Sequence, residues 1–221
     1  MKAARTWLAC GLVACCCSFL QAAGQSSAPA SAEVSYAIRV RVFNVVRVSP
    51  RNLAGAERAA TTAFQQAEVI CVWLDCTLDR AQTSRHRGCE EAFRPLDFAV
   101  AIVPRFESEL GAMPRSTLGI AALQGAGGYA HNATISMERV EALAKAHDVP
   151  VEVVLGLAMV HEIGHLLLGS NTHSPSGLMR NVWDDKDSAS AARGGLRFAP
   201  IDRERLRAAV KMRQNQEERM R

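Results

Sequence analysis

Apolar and polar residues alternate from Tyr36 to Val48 in a β-branched run, which predicts a strand. Arg39, Arg41 and Arg47 fall on one face of it, so that face is expected to be wet. An alanine-rich stretch, Leu53 to Ala67, reads as a helix. Val69 to Leu74 reads as a second strand, followed by a polar loop from Asp75 to Pro95. Leu96 to Val103 is apolar enough for a central strand. Pro104 to Gly128 is rich in loop residues, with a short strand expected near Leu118 to Leu123. A further strand is expected over Tyr129 to Met137 and a short helix over Glu138 to His147.

The second half of the chain has a different period. From Pro150 to about Leu168 the sequence is apolar almost all round, the pattern of a buried helix, and Gly169 supplies a natural stop. Ser170 to Ala199 is expected to be irregular, and Ile201 to about Glu218 reads as a charged terminal helix. Strands come first and helices last, which predicts an α+β domain with a cleft between two unequal halves.

Inside the apolar helix sits His161-Glu162-Ile163-Gly164-His165. Residues four apart share a helix face, so the two imidazoles point to one place. Burying them with a glutamate and no partner is costly, and a metal ion removes that cost. Glu162, next to the first ligand, is placed to act as a general base on water. His173 is the favoured third ligand, because Gly169 lets the chain fold back. Asp184, Asp185 and Asp187 are the alternatives. Zn2+ is the expected cofactor.

Composition narrows the setting. The chain has 221 residues, 48% of them hydrophobic, enough for one domain with a sizeable core. Lys2 and Arg5 followed by apolar Trp7 to Leu20 read as an export signal, with cleavage expected near Gly24. The organisation predicted is a signal peptide at 1–24, a linker at 25–35 and a single domain at 36–221. The location that follows is secreted or periplasmic. Leu12-Val13-Ala14-Cys15 offers a second reading, a lipoprotein anchored through Cys15. No transmembrane anchor is expected. Without the signal, 24 basic residues stand against 22 acidic ones, too even a balance to argue for nucleic acid. Three cysteines lie outside the signal. Cys76, at a strand end, is paired with Cys89 in the following loop, leaving Cys71 as a buried thiol; three free thiols is the competing reading.

The motif resembles that of the metzincin metallopeptidases, H-E-x-x-H-x-x-G-x-x-H followed by a methionine-containing turn. Here those positions are His161, Glu162, His165, Gly169 and His173, then Gly177-Leu178-Met179. Ser174 and Leu178-Met179 are most similar to the matrixin branch. Gly169 stands one residue later than in that pattern and His173 two later. The resemblance implies a zincin-like domain: a twisted mixed sheet, an active-site helix, a Met-turn with Met179 packed beneath the metal, and a C-terminal helix. It also implies a zinc endopeptidase acting on peptide or protein substrates. Gly127-Gly128-Tyr129-Ala130-His131 looks like the matrixin strand that carries a structural-metal histidine. The acidic partners are missing, and His131 is read as a strand-face residue. His86 is expected to be solvated and His147 to cap helix carbonyls. The competing functions are a zinc amidase acting on cell-wall peptides and a non-catalytic metal-binding or interaction protein. Glu162 argues against the last, since a purely structural site has no use for it.

Overall fold

The computed structural model describes residues 36–78, 86–106, 113–123 and 129–220. The signal and linker readings for 1–35, the Cys15 anchor and Gly127-Gly128 lie outside them. Strand β1 (Tyr36–Asn44) leads through helix α1 (Pro50–Gln65) to β2 (Val69–Asp75). β3 (Asp97–Val103), β4 (Gly119–Ala122) and β5 (Asn132–Ser136) follow. The helical half comprises α2 (Met137–His147), α3 (Val151–Leu168), α4 (Asp185–Ala192) and α5 (Pro200–Arg219). The sheet order is β2-β1-β3-β5-β4, parallel throughout except for β4, which runs antiparallel to β5 at one edge. This is an α+β domain with a mixed five-stranded sheet and, among the described residues, five α-helices.

β1 is shorter than its hydrophobic pattern suggests. It ends at Asn44, whose side-chain amide bonds both the N–H and the carbonyl of Val48 and turns the chain. Ser49 then caps α1 through the Asn52 N–H, with Pro50 in the first turn, where its missing N–H costs nothing. Ile38, Val40 and Val42 are buried together with Ala56, Ala60 and Phe64 of α1.

The face of β1 carrying the arginines is not wet. Arg41 is 1% exposed, and Arg47 lies beyond the strand. Arg39 and Arg41 both bond Asp97, across the sheet at the start of β3. Arg41 also donates to the carbonyls of Glu91 and Ala92. Burial alone would raise the Asp97 carboxyl; the Arg39 hydrogen bonds, the Arg94 amide and the two cationic charges outweigh it and hold it below its ordinary value. The pattern misled because a buried ion pair carries the same letters as a solvated face.

Cys76 and Cys89 form a disulfide that ties the end of β2 to this loop. Cys71 is free and half-buried, its thiol pushed up by burial. His86 is exposed.

The segment 170–199 is not wholly irregular, since it contains α4. Its N-cap is a reciprocal box: the Asp184 side chain accepts from the Asp187 N–H, and the Asp187 side chain from the Asp184 N–H. His147 does not cap helix carbonyls; its Nδ1 faces Asp185 at 3.1 Å.

α3 runs through the middle of the core and positions the site. Pro150 precedes its first turn, and Gly169 ends it with φ of 61°, the left-handed cap that glycine adopts at low cost. Arg213 of α5 donates to the carbonyls of Leu166 and Leu167, groups a helix end leaves without intrahelical partners. Its guanidinium lies over the rings of Phe98 and Tyr129, and burial pulls its pKa down to about 10.

Candidate metal centre

His161 and His165 stand one turn apart on α3, with their Nε2 atoms 3.0 Å from each other. Each has its other ring nitrogen committed. His161 Nδ1 bonds the Leu178 carbonyl at 2.9 Å, and His165 Nδ1 bonds the Ser170 carbonyl at 2.7 Å. A carbonyl only accepts, so both Nδ1 atoms carry the proton. Burial and the neighbouring histidines pull the His161 pKa down to about 4, and burial lowers those of His165 and His173. All three rings are therefore neutral at pH 7, and the two Nε2 atoms face each other as lone pairs. Two lone pairs at that distance repel unless a cation lies between them. Carbonyl acceptors behind ligating histidines are also what metal sites use to fix the tautomer.

His173 completes the group. It comes from the loop after Gly169, its ring centroid is 5.4 Å from that of His161 and 4.8 Å from that of His165, and the candidate ligand atoms of all three lie within 4.8 Å of one another. Tetrahedral zinc with metal–nitrogen bonds of about 2.0 Å needs nitrogens about 3.3 Å apart. The helix pair is close to that spacing, and His173 has a short distance to travel. The donor set, three neutral imidazoles converging at the edge of a cleft, fits zinc. Asp184, Asp185 and Asp187 do not join it: Asp184 and Asp187 cap α4 and hold Arg180, and Asp185 faces His147. The Arg180 guanidinium holds the Asp184 carboxyl down at about 2.

Glu162 is 6% exposed, and burial pushes its pKa up to about 8, partly offset by a hydrogen bond from the Ala121 backbone. It reaches from α3 across the edge strand β4. There a Cβ on Gly119 would stand 2.5 Å from the Glu162 Cγ, so any side chain at that point has to push a neighbouring side chain aside. Beneath the histidines, Leu178 and Met179 are buried, and a Cβ on Gly164 would meet the Met179 Sδ at 2.7 Å.

A cavity of about 270 Å³ opens beside His161 and Glu162. One wall is apolar, with Leu118 and Ile120 from the β4 region, Leu143 of α2 and Trp183, and the other is polar, with the histidines, Asn171, Arg180 and Asn181. Trp183 Nε1 donates to the same Leu178 carbonyl that orients His161. Gly119, Ala121 and Trp183 were not read from the sequence, because their roles depend on β4 lying beside α3. His131 bonds the Asp97 carbonyl through Nδ1 at 2.6 Å and packs on Phe93, where β5 begins beside β3, and it is not part of the histidine group.

Comparison with protein-family models gives no match, and comparison with curated proteins gives none. Among solved structures, the chain is similar to archaemetzincin from Methanopyrus kandleri, with a TM-score of 0.48 and 16% identity over 81% of this chain and 99% of that one.

Proposed function

We propose that this chain is a metzincin-type zinc endopeptidase. The observation that carries the proposal is the pair of Nε2 lone pairs 3.0 Å apart, with His173 beside them and a buried glutamate next in sequence to the first ligand. His161, His165 and His173 are the ligands. Zinc bound there supplies Lewis-acid chemistry, acidifying water and polarising a carbonyl. Glu162 takes the proton of the attacking water and passes it to the leaving amine. Its carboxyl, shielded from solvent, holds a proton more tightly than an exposed one, which makes it the stronger base for the first transfer.

The apolar wall formed by Leu118, Ile120, Leu143 and Trp183 has room for an apolar side chain next to the scissile bond, opposite the polar wall of the histidines, Asn171 and Arg180. The Gly177–Met179 segment serves as the Met-turn, and Ser174 with Leu178-Met179 supports kinship with the matrixin branch. Export through the 1–24 signal, with the lipid anchor on Cys15 as its alternative, belongs to the same reading.

The test is metal content by plasma emission alongside cleavage of casein. Wild type should carry one zinc and lose cleavage on chelation. Glu162→Gln should keep zinc and lose hydrolysis by orders of magnitude. His173→Ala should lose zinc; if Asp184→Ala or Asp185→Ala loses it instead, the ligand set is wrong.

A further inference from the structure

Two of the three histidines are aimed by backbone carbonyls, those of Leu178 and Ser170. Among the described residues His173 has no such acceptor, and its ring lies against the two other imidazoles. It is exposed and lies in a loop, so its direction must be set by the backbone that carries it. The next residue is where that backbone is held. Ser174 N–H donates to the Met179 carbonyl at 2.9 Å, and the Ser174 hydroxyl donates to Oδ1 of Asp202 at 2.6 Å.

Asp202 is itself unusual. It sits in the first turn of α5, is 1% exposed, and its Oδ2 is buried without a hydrogen-bond partner. A carboxylate in the first turn of a helix is favourable, but that benefit needs no burial. A half-satisfied buried carboxylate costs stability, and its one side-chain partner here is the hydroxyl that follows His173.

We propose that Asp202 and Ser174 are positioning residues that aim His173 at the metal. The inference rests on the zinc reading above. Ser174 thereby joins α5 to the turn whose Leu178 carbonyl orients His161, so the first and third ligands hang from one clamped segment.

The experiment measures zinc affinity of the full chain by competition with a chromogenic chelator. It also records the visible spectrum of the cobalt-substituted protein and the melting temperature of the metal-free protein. Ser174→Ala and Asp202→Ala should each weaken zinc about 10- to 100-fold, the range for residues that orient metal ligands. The double variant should be no weaker than the poorer single one, because both changes break one contact. The cobalt spectra of both should move toward that of His173→Ala. Asp202→Asn keeps an acceptor for the hydroxyl and should restore affinity. Where Asp202→Ala does not fold, Ser174→Ala, at a half-buried position, decides. Unchanged zinc affinity in Ser174→Ala overturns the proposal, as does a lower melting temperature with an unchanged cobalt spectrum. A wild-type chain that binds no zinc overturns the metal reading itself and this inference with it.

Discussion

Glu162 crosses the edge strand at Gly119, so closely that a Cβ on the glycine would overlap the glutamate's Cγ at 2.5 Å and the Ile135 Cδ1 at 2.7 Å. The glutamate side chain is the flexible partner of the two. Gly119→Ala should therefore displace Glu162 from its place beside the histidine group and leave the histidines where they are. Peptide cleavage is expected to fall about tenfold or more, since small misplacements of a catalytic group are that costly. Zinc content should stay at the wild-type level. Parallel loss of zinc would mean that β4 supports the ligands rather than the base.

The disulfide closes a short loop between cysteines 13 positions apart in sequence. Replacing Cys76 and Cys89 together by serine should cost about 2–4 kcal/mol, chiefly by freeing the unfolded chain. Glu91 and Ala92, whose carbonyls hold the buried Arg41, follow directly after Cys89 and are tethered by it, so the upper part of that range is expected. Urea denaturation of the oxidised, reduced and doubly substituted proteins gives the number. A substituted protein as stable as the oxidised one would show that Arg41 holds the loop unaided.

Met179 packs against Gly164 of α3. Met179→Leu nearly conserves volume, and a loss under about 1.5 kcal/mol is expected with zinc retained. Gly164→Ala adds a carbon where the methionine sulfur already lies 2.7 Å away, and should cost more. Chemical denaturation with metal analysis checks both. If Met179→Leu released the zinc, the residue would be part of the ligand sphere and not a packing support.

The helix and its two histidines were legible because the information is local. The i, i+4 spacing, the apolar surroundings and the closing glycine all lie within twenty residues. The nearness of His173 to the pair was legible for the same reason. The buried Arg41–Asp97 pair was not, since its partners lie 56 residues apart and alternation assigns charges to solvent by default. Helix α4 was missed because DKDSASAA has no apolar period; its one signal is Asp184 followed three residues later by Asp187, a box usually closed by glutamate or glutamine. Gly119 carries its meaning only once β4 is known to lie along α3.

The metal-free protein should show a stability maximum near pH 6.5, from two opposed linkages. Its histidines have folded values below the ordinary 6.5, about 4 for His161, so the folded chain binds fewer protons than the unfolded one between those values. Stability from this source grows as pH rises through that window and is lost as pH falls. Glu162 acts the other way. Its folded value near 8 lies above the ordinary 4.5, so the folded chain binds more protons between those limits and loses stability as pH rises. Towards 6.5 the histidines together oppose one glutamate and the net slope is upward. Above about pH 7 the histidines are mostly neutral in both states, and the glutamate alone sets a decline toward pH 8. Melting temperatures in chelator from about pH 4 to 9 test this. Glu162→Gln should remove the decline and leave the rise. Saturating zinc should extend the rise, because the ion competes with protons for the same nitrogens. A metal-free wild type that keeps gaining stability between pH 6.5 and 8 would show that Glu162 is ionised in the fold, and that its burial is offset by a partner other than the Ala121 amide.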